Sequence, residues 1–193
     1  MGKTIKETDY TLEQIETILV GMPYSPYYIR QNIVVPNVAW GFLNHEADLL
    51  ILNKTNRLIE IEIKRTWADF MADFRKSHTH NDEKLSYFYY AVPESIGEKV
   101  FYWLYEGEYE AKHYWDRSKV NGYTEHNSNK CGLIVYGENI FHNYCLTVPA
   151  GKMGDHKLSV EEELKLLRLG NMRIWGMKKK LAEYQVETNL FKV

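Results

Sequence analysis

Residues 45–76 read HEADLLILNKTNRLIEIEIKRTWADFMADFRK and concentrate the groups best suited to metal-assisted hydrolysis. Asp48, Glu62 and Lys64 are the central candidates. Side chains alternate across a strand, so Glu46 and Asp48 share one face of a predicted strand over roughly 45–52. Glu60, Glu62 and Lys64 share a face of a second strand over roughly 57–64, while Ile59, Ile61 and Ile63 share the other. Asn53, Lys54, Thr55 and Asn56 between them are turn formers. An antiparallel hairpin would set Asp48 beside Glu62 and Lys64. Two carboxylates with an adjacent ammonium make a hard, oxygen-lined pocket suited to Mg²⁺ or Mn²⁺. The same alternation also reads as a solvated face with cross-strand ion pairs.

The residues that follow favour a built site. Thr66 can cap a helix, with Asp69 three residues on. Trp67, Phe70, Met71 and Phe74 fall at helical spacing and predict a buried stripe, so a helix packs on the hairpin's sheet.

An acidic residue on one strand, E-x-K on the next and then a helix resembles the PD-(D/E)XK nuclease superfamily, through Asp48 and Glu62-Ile63-Lys64. The Pro-Asp pair of that superfamily stands here as Ala47-Asp48. The stretch EIKRTWADFMADFRK, with YFYYAVPE and CGLIVYG further on, is similar to the bacterial DNA-repair proteins called MmcB-like. The resemblance implies a restriction-endonuclease-like αβββαβ core. It implies a Mg²⁺- or Mn²⁺-dependent deoxyribonuclease of repair or restriction type. Asp48, Glu62 and the Ile63 carbonyl would hold metal, and Lys64 would stabilise the attacking water or the charge on phosphorus. Glu46 is a candidate outer ligand, because it faces the same way as Asp48. Glu13 and Glu16 are candidates by analogy with a first-helix glutamate. A catalytically inactive nucleic-acid-binding or assembly module on the same fold is the alternative.

Elsewhere the chain supplies elements to carry this site. Residues 11–20 predict a capped helix, and 27–35 an aromatic and β-branched strand ended by Pro36. Arg30, Arg75, Lys76 and His78 are candidate substrate-binding residues. The alternation of His78, His80 and Asp82 lacks structural-zinc spacing and reads as a polar loop. Glu60 is left as structural. Residues 85–92 predict a buried strand, 94–105 a helix and 130–136 another strand. Residues 106–129 read as an insertion into the core. After a linker, Ser159 caps a helix with Glu161, Glu162 and Glu163 in its first turn, and Gly170 is a candidate break.

A chain of 193 residues, 45% hydrophobic and 14% aromatic, can build one sizeable core. The expected architecture is one α/β domain over 1–193: a mixed sheet flanked by helices, with a helical extension over 157–187. A net charge of −2 argues against coating nucleic acid through bulk charge, but leaves room for a local basic groove. DNA is the expected partner, with RNA and a homodimer left open. The opening residues show no secretion signal and no apolar run is long enough for a membrane span. With Cys131 and Cys145 read as free thiols, a cytoplasmic location is expected.

Overall fold

In a computed structural model of the chain, the described residues are 8–23, 25–39, 41–75, 80–105, 131–137 and 145–190. The chain enters its first helix, α1 (Leu12–Gly21), through a reciprocal capping box between Thr11 and Gln14. Three strands follow: β1 (Ile33–Val38), β2 (Ala47–Leu52) and β3 (Leu58–Ile63). Helix α2 (Trp67–Asp73) leads to β4 (Leu85–Pro93), and α3 (Glu94–Tyr105) precedes β5 (Gly132–Tyr136), β6 (Cys145–Val148) and α4 (Val160–Leu190). The strands form one six-stranded sheet in chain order. Pairing is antiparallel from β1 to β3 and between β5 and β6, and parallel from β3 through β4 to β5. Parallel neighbours require crossovers, and α2 and α3 lie in those connections. The fold is therefore α/β, a mixed sheet flanked by helices with a helix at its C-terminal end.

The hairpin of β2 and β3 forms where its turn chemistry directs. Asn53 Oδ1 accepts hydrogen bonds from the N–H groups of Thr55 and Arg57. Asn56 sits at φ +58°, in the left-handed region that asparagine tolerates. Leu52 stands opposite Leu58, and Leu49 opposite Ile61. One face of the sheet presents Leu49, Ile51, Ile61, Ile63 and Ala91 to Ile15 and Leu19 of α1. The other face carries two separate apolar patches. Phe88, Tyr90, Val92 and Leu133 pack with Phe70 of α2 and Val100 of α3. Val35, Leu50, Leu52 and Leu58 pack with Leu158 and Leu166. Glu60 and Glu62, both buried, come from the same strand face as Leu58 and lie on the side of these two patches.

Three expectations need correction. The first strand is not 27–35 but Ile33–Val38, and Pro36 lies inside it. Pro36 lacks an N–H, which is tolerated because β1 is an edge strand. Tyr27–Gln31 instead form turns, with the Ile29 N–H bonded to the Val20 carbonyl. The second correction is that β2 begins at Ala47, leaving His45 in the preceding loop. The third is that Gly170 does not break α4, a continuous helix of 31 residues. A Cβ added at Gly170 would lie 3.3 Å from Val35 Cγ2, so the missing side chain lets the helix lie close on β1. The expected insertion over 106–129, with Lys76 and His78, falls outside the described residues. No described helix is long and apolar enough to cross a membrane.

Glycine positions separate tight packing from open surface. A Cβ at Gly132 would meet the Tyr89 ring at 2.2 Å and the Val148 carbonyl oxygen at 2.8 Å, whereas one at Gly176 of α4 meets nothing within 4 Å. Gly132→Ala should destabilise the fold by about 3 kcal/mol through overpacking. Gly176→Ala should stabilise it by up to ~1 kcal/mol through helix propensity. Thermal or denaturant unfolding of the two variants checks the opposite signs.

Candidate functional site

The two central strands part where the candidate residues lie. Paired residues end at Leu49 and Ile61, yet β2 reaches back to Ala47 and β3 runs on to Ile63. Continuing that register sets Asp48 across from Glu62. In place of a main-chain partner, the Ile63 N–H donates to Asp48 Oδ2 at 2.8 Å. In a strand the N–H and C=O of one residue point to the same side, so the Ile63 carbonyl also faces this opening. Asp48 and Glu62 line a cavity of about 410 Å³ together with Glu46, Asn37 and Arg173. Arg173 comes from α4.

Lys64 is buried and points to two carboxylates. Its ammonium donates to Glu62 Oε1 at 2.7 Å and to Asp73 Oδ1 at 3.0 Å. Burial alone would lower its pKa, but the charges and hydrogen bonds of Glu62 and Asp73 outweigh burial and hold it above the ordinary lysine value. Asp73, buried near the end of α2, is the hub of a longer network. Tyr90 donates to its Oδ2 at 2.9 Å, and His80 Nε2 lies 2.9 Å from the same oxygen. His80 Nδ1 is 2.6 Å from Glu60 Oε1, and His45 Nε2 reaches Glu60 Oε2 at 2.8 Å. Burial opposes the charged imidazolium of His80, yet the hydrogen bonds of Asp73 and Glu60 dominate and push its pKa up to about 9. His45, Glu60 and His80 offer ligand atoms all within 4.8 Å of one another, as do Glu62, Asp73 and His80.

At the mouth of the site the balance differs. Burial raises the Asp48 carboxyl to about 6, with the Glu62 charge adding to the rise. Burial likewise raises Glu16 to about 7, with Asp48 the next cause. Glu16 accepts from Asn37 Nδ2 at 3.0 Å, and Asn37 is held at φ +52°. Burial and neighbouring carboxylates thus disfavour the charged form of both acids. The donor set of the cavity is all oxygen: Asp48, Glu62 and the Ile63 carbonyl, with Glu46 exposed on the rim and Glu16 set behind Asn37. It fits a hard divalent cation.

The remaining candidates divide. Glu13, exposed, and Glu16, half-buried, line a neighbouring cavity between α1, β1 and α4; Glu16 reaches the Asp48 cavity only through its bond to Asn37, which lines it. Arg30 is exposed in the turns before β1, and Arg75 is exposed just past α2. Neither lines the Asp48 cavity, so their expected substrate role has no support in the geometry. Sequence reasoning missed Asp73, His80 and His45 as partners. Asp82, paired there with His80, instead accepts from the Asn44 and Lys84 N–H groups. The missed signal for Asp73 was its spacing: it follows the buried Phe70 by three residues, on the same side of α2.

No protein-family model matches the sequence, and no curated protein matches it. Among solved structures, a protein of unknown function from Silicibacter pomeroyi is similar at 14% identity and a TM-score of 0.47, over 81% of this chain and 84% of that one.

Two outcomes follow from these charges. Acids whose folded pKa is raised favour the native state when protonated, so their contribution is present at low pH and lost as pH rises through about 6 for Asp48 and about 7 for Glu16. His80, raised to about 9, contributes stability below about 6.5 that fades as pH rises through 9. Asp48→Asn removes the first of these and relieves part of the Glu16 rise, so it should gain about 1–2 kcal/mol over wild type near pH 8, roughly half of that near pH 5 and little below the unfolded aspartate pKa of about 3.9. Unfolding free energies of both proteins across that range test the sign. Glu60→Ala leaves the buried His80 charge without one of its two carboxylates and should cost about 3–5 kcal/mol, read in the same assay.

Proposed function

We propose that this chain is a metal-dependent nuclease hydrolysing phosphodiester bonds in DNA, with Asp48, Glu62 and Lys64 at its centre. The observation that carries the reading is the meeting of Asp48 and Glu62 in one cavity at the parted ends of β2 and β3, with the Lys64 ammonium bonded to Glu62. The order of elements supports it: helix, three antiparallel strands, helix, then a parallel strand, the order that an αβββαβ reading of the core would require.

Asp48, Glu62 and the Ile63 carbonyl would hold Mg²⁺ or Mn²⁺. When bound, such an ion supplies a water activated at neutral pH and charge stabilisation for the phosphate oxygens. The protein's own groups do the positioning. The Ile63 N–H fixes the Asp48 carboxylate. Glu62 and Asp73 keep the Lys64 ammonium charged and oriented, so it acts by electrostatic stabilisation and not as a general base. Asp73 is itself held by Tyr90 and His80, which makes those two residues positioning groups.

Incubating the purified chain with duplex, single-stranded and branched DNA, in Mg²⁺ or Mn²⁺, tests the reading. Cleavage should depend on the ion and fall by about 10²-fold or more in Asp48→Asn and in Glu62→Gln, with far-ultraviolet circular dichroism unchanged. Mn²⁺ affinity, measured by calorimetry, should fall in the same variants. Cleavage that persists at wild-type rates in both variants sinks the assignment. DNA binding without any cleavage, in wild type and variants alike, points to a non-catalytic module.

A further inference from the structure

Helix α4 carries a charge distribution that the proposed chemistry leaves unexplained. Between Leu164 and Ala182 it holds Lys165, Arg168, Arg173, Lys178, Lys179 and Lys180, and no Asp or Glu. That is +6 within a chain of net charge −2, which leaves −8 for the remainder. The helix is about 46 Å long at the standard rise. Its first turns lie on the sheet: Leu166 is fully buried, Leu169 packs beside it, and Gly170 closes on Val35. Helical spacing continues that same face through Arg173 and, seven residues later, Lys180. So the side of α4 that packs on β1 goes on to carry two cations, Arg173 and Lys180, with Ile174 and Met177 between them lining the cavity toward α1 and β1.

Arg173 faces the candidate site, and Lys180 lies two turns further along the same side of the helix. Arg173 lines the cavity that holds Asp48 and Glu62, and it makes no ion pair among the described residues. Lys180 lies near α1, where the Glu13 carboxyl is held below its usual range, first by a backbone hydrogen bond and in smaller part by Lys180. Lys179 differs: it points away from this face and lies 3.9 Å from Glu183.

We infer that Arg173 and Lys180 form a cationic rail beside the cavity, one that grips the phosphate backbone of a nucleic acid and sets a phosphodiester over Asp48 and Glu62. The inference rests on the nuclease reading of the cavity. Lys and Arg at a spacing of seven follow one side of a helix and present successive charges to a repeating polyanion. An anionic lipid surface is the competing partner, since Met172, Trp175 and Leu181 are exposed among the lysines. Arg173 favours nucleic acid: it opens on a recessed acidic cavity, where a flat headgroup layer gains nothing from it.

The test uses the full chain and fluorescence anisotropy of labelled duplex DNA, in Ca²⁺ to suppress turnover, over a salt titration. The double variant R173A/K180A should lose about tenfold in affinity, and its log–log salt slope should fall by about 2. K179A should match wild type. Equal affinity and equal slope in R173A/K180A overturn the inference, as does wild type that ignores DNA but binds vesicles of phosphatidylserine. Mn²⁺ calorimetry on the same preparations separates the two claims. R173A/K180A that keeps Mn²⁺ but loses DNA supports the rail. Wild type that takes no Mn²⁺, yet loses DNA through these two substitutions, removes the nuclease reading and leaves the rail standing.

Discussion

A lysine ammonium buried between two carboxylates constrains the rest of this molecule. Lys64 is 3% exposed. Removing such a charge from water costs several kcal/mol unless partners surround it. Glu62 and Asp73 do so, and each must then be satisfied in turn. Asp73 is answered by Tyr90 and His80, His80 by Glu60, and Glu60 by His45. The network crosses from β3 to α2, to the loop before β4 and to the loop before β2. It therefore ties three other segments to one strand, in a place where an apolar contact would have been cheaper. Replacing such a network by hydrocarbon is often neutral or stabilising, so its presence points to a use other than stability.

The charge balance shows where that use lies. Inside the network, three carboxylates meet two cations, Lys64 and His80, both held protonated by their partners. Toward the cavity Asp48 and Glu16 add two more acids against Arg173, and burial first, then a neighbouring carboxylate, raises the pKa of both. The backbone makes this possible. Had the ladder between β2 and β3 continued past Leu49 and Ile61, the Ile63 amide would have faced a main-chain carbonyl. The parting of the strands gives that amide to Asp48 and opens a recess lined by oxygen.

Much of this was readable in the chain. The parity of Asp48, Glu62 and Lys64, with a turn over 53–56, specifies the hairpin and its polar face. Helices α1 and α3 and strand β4 follow from periodicity and caps. Other features were not readable, for physical reasons. His45 and His80 lie in loops, where no periodicity assigns a direction, and they meet Glu60 only through tertiary packing. Strand parity alone does not tell that Glu60 is buried between two histidines. Pro36 and Gly170 were read by local propensity as stops. In both cases position overrode propensity: an edge strand does not need the proline N–H, and a close helix–strand approach favours glycine.

The acidic recess and the cationic face of α4 also bear on each other. A phosphodiester approaching Asp48, Glu62 and Glu16 meets like charge at short range, where the medium is partly dry and screening is weak. Arg173 offsets one part of that repulsion. A divalent cation held by the carboxylates would offset more, and would convert the recess from a barrier into an anchor. If nucleic acid and cation share this site, their affinities are linked, and each must raise the other by the same factor. A net charge near zero for the whole chain is then no argument against a polyanionic partner. What matters is that the acids sit where a metal can neutralise them, while the bases lie along one helix beside them.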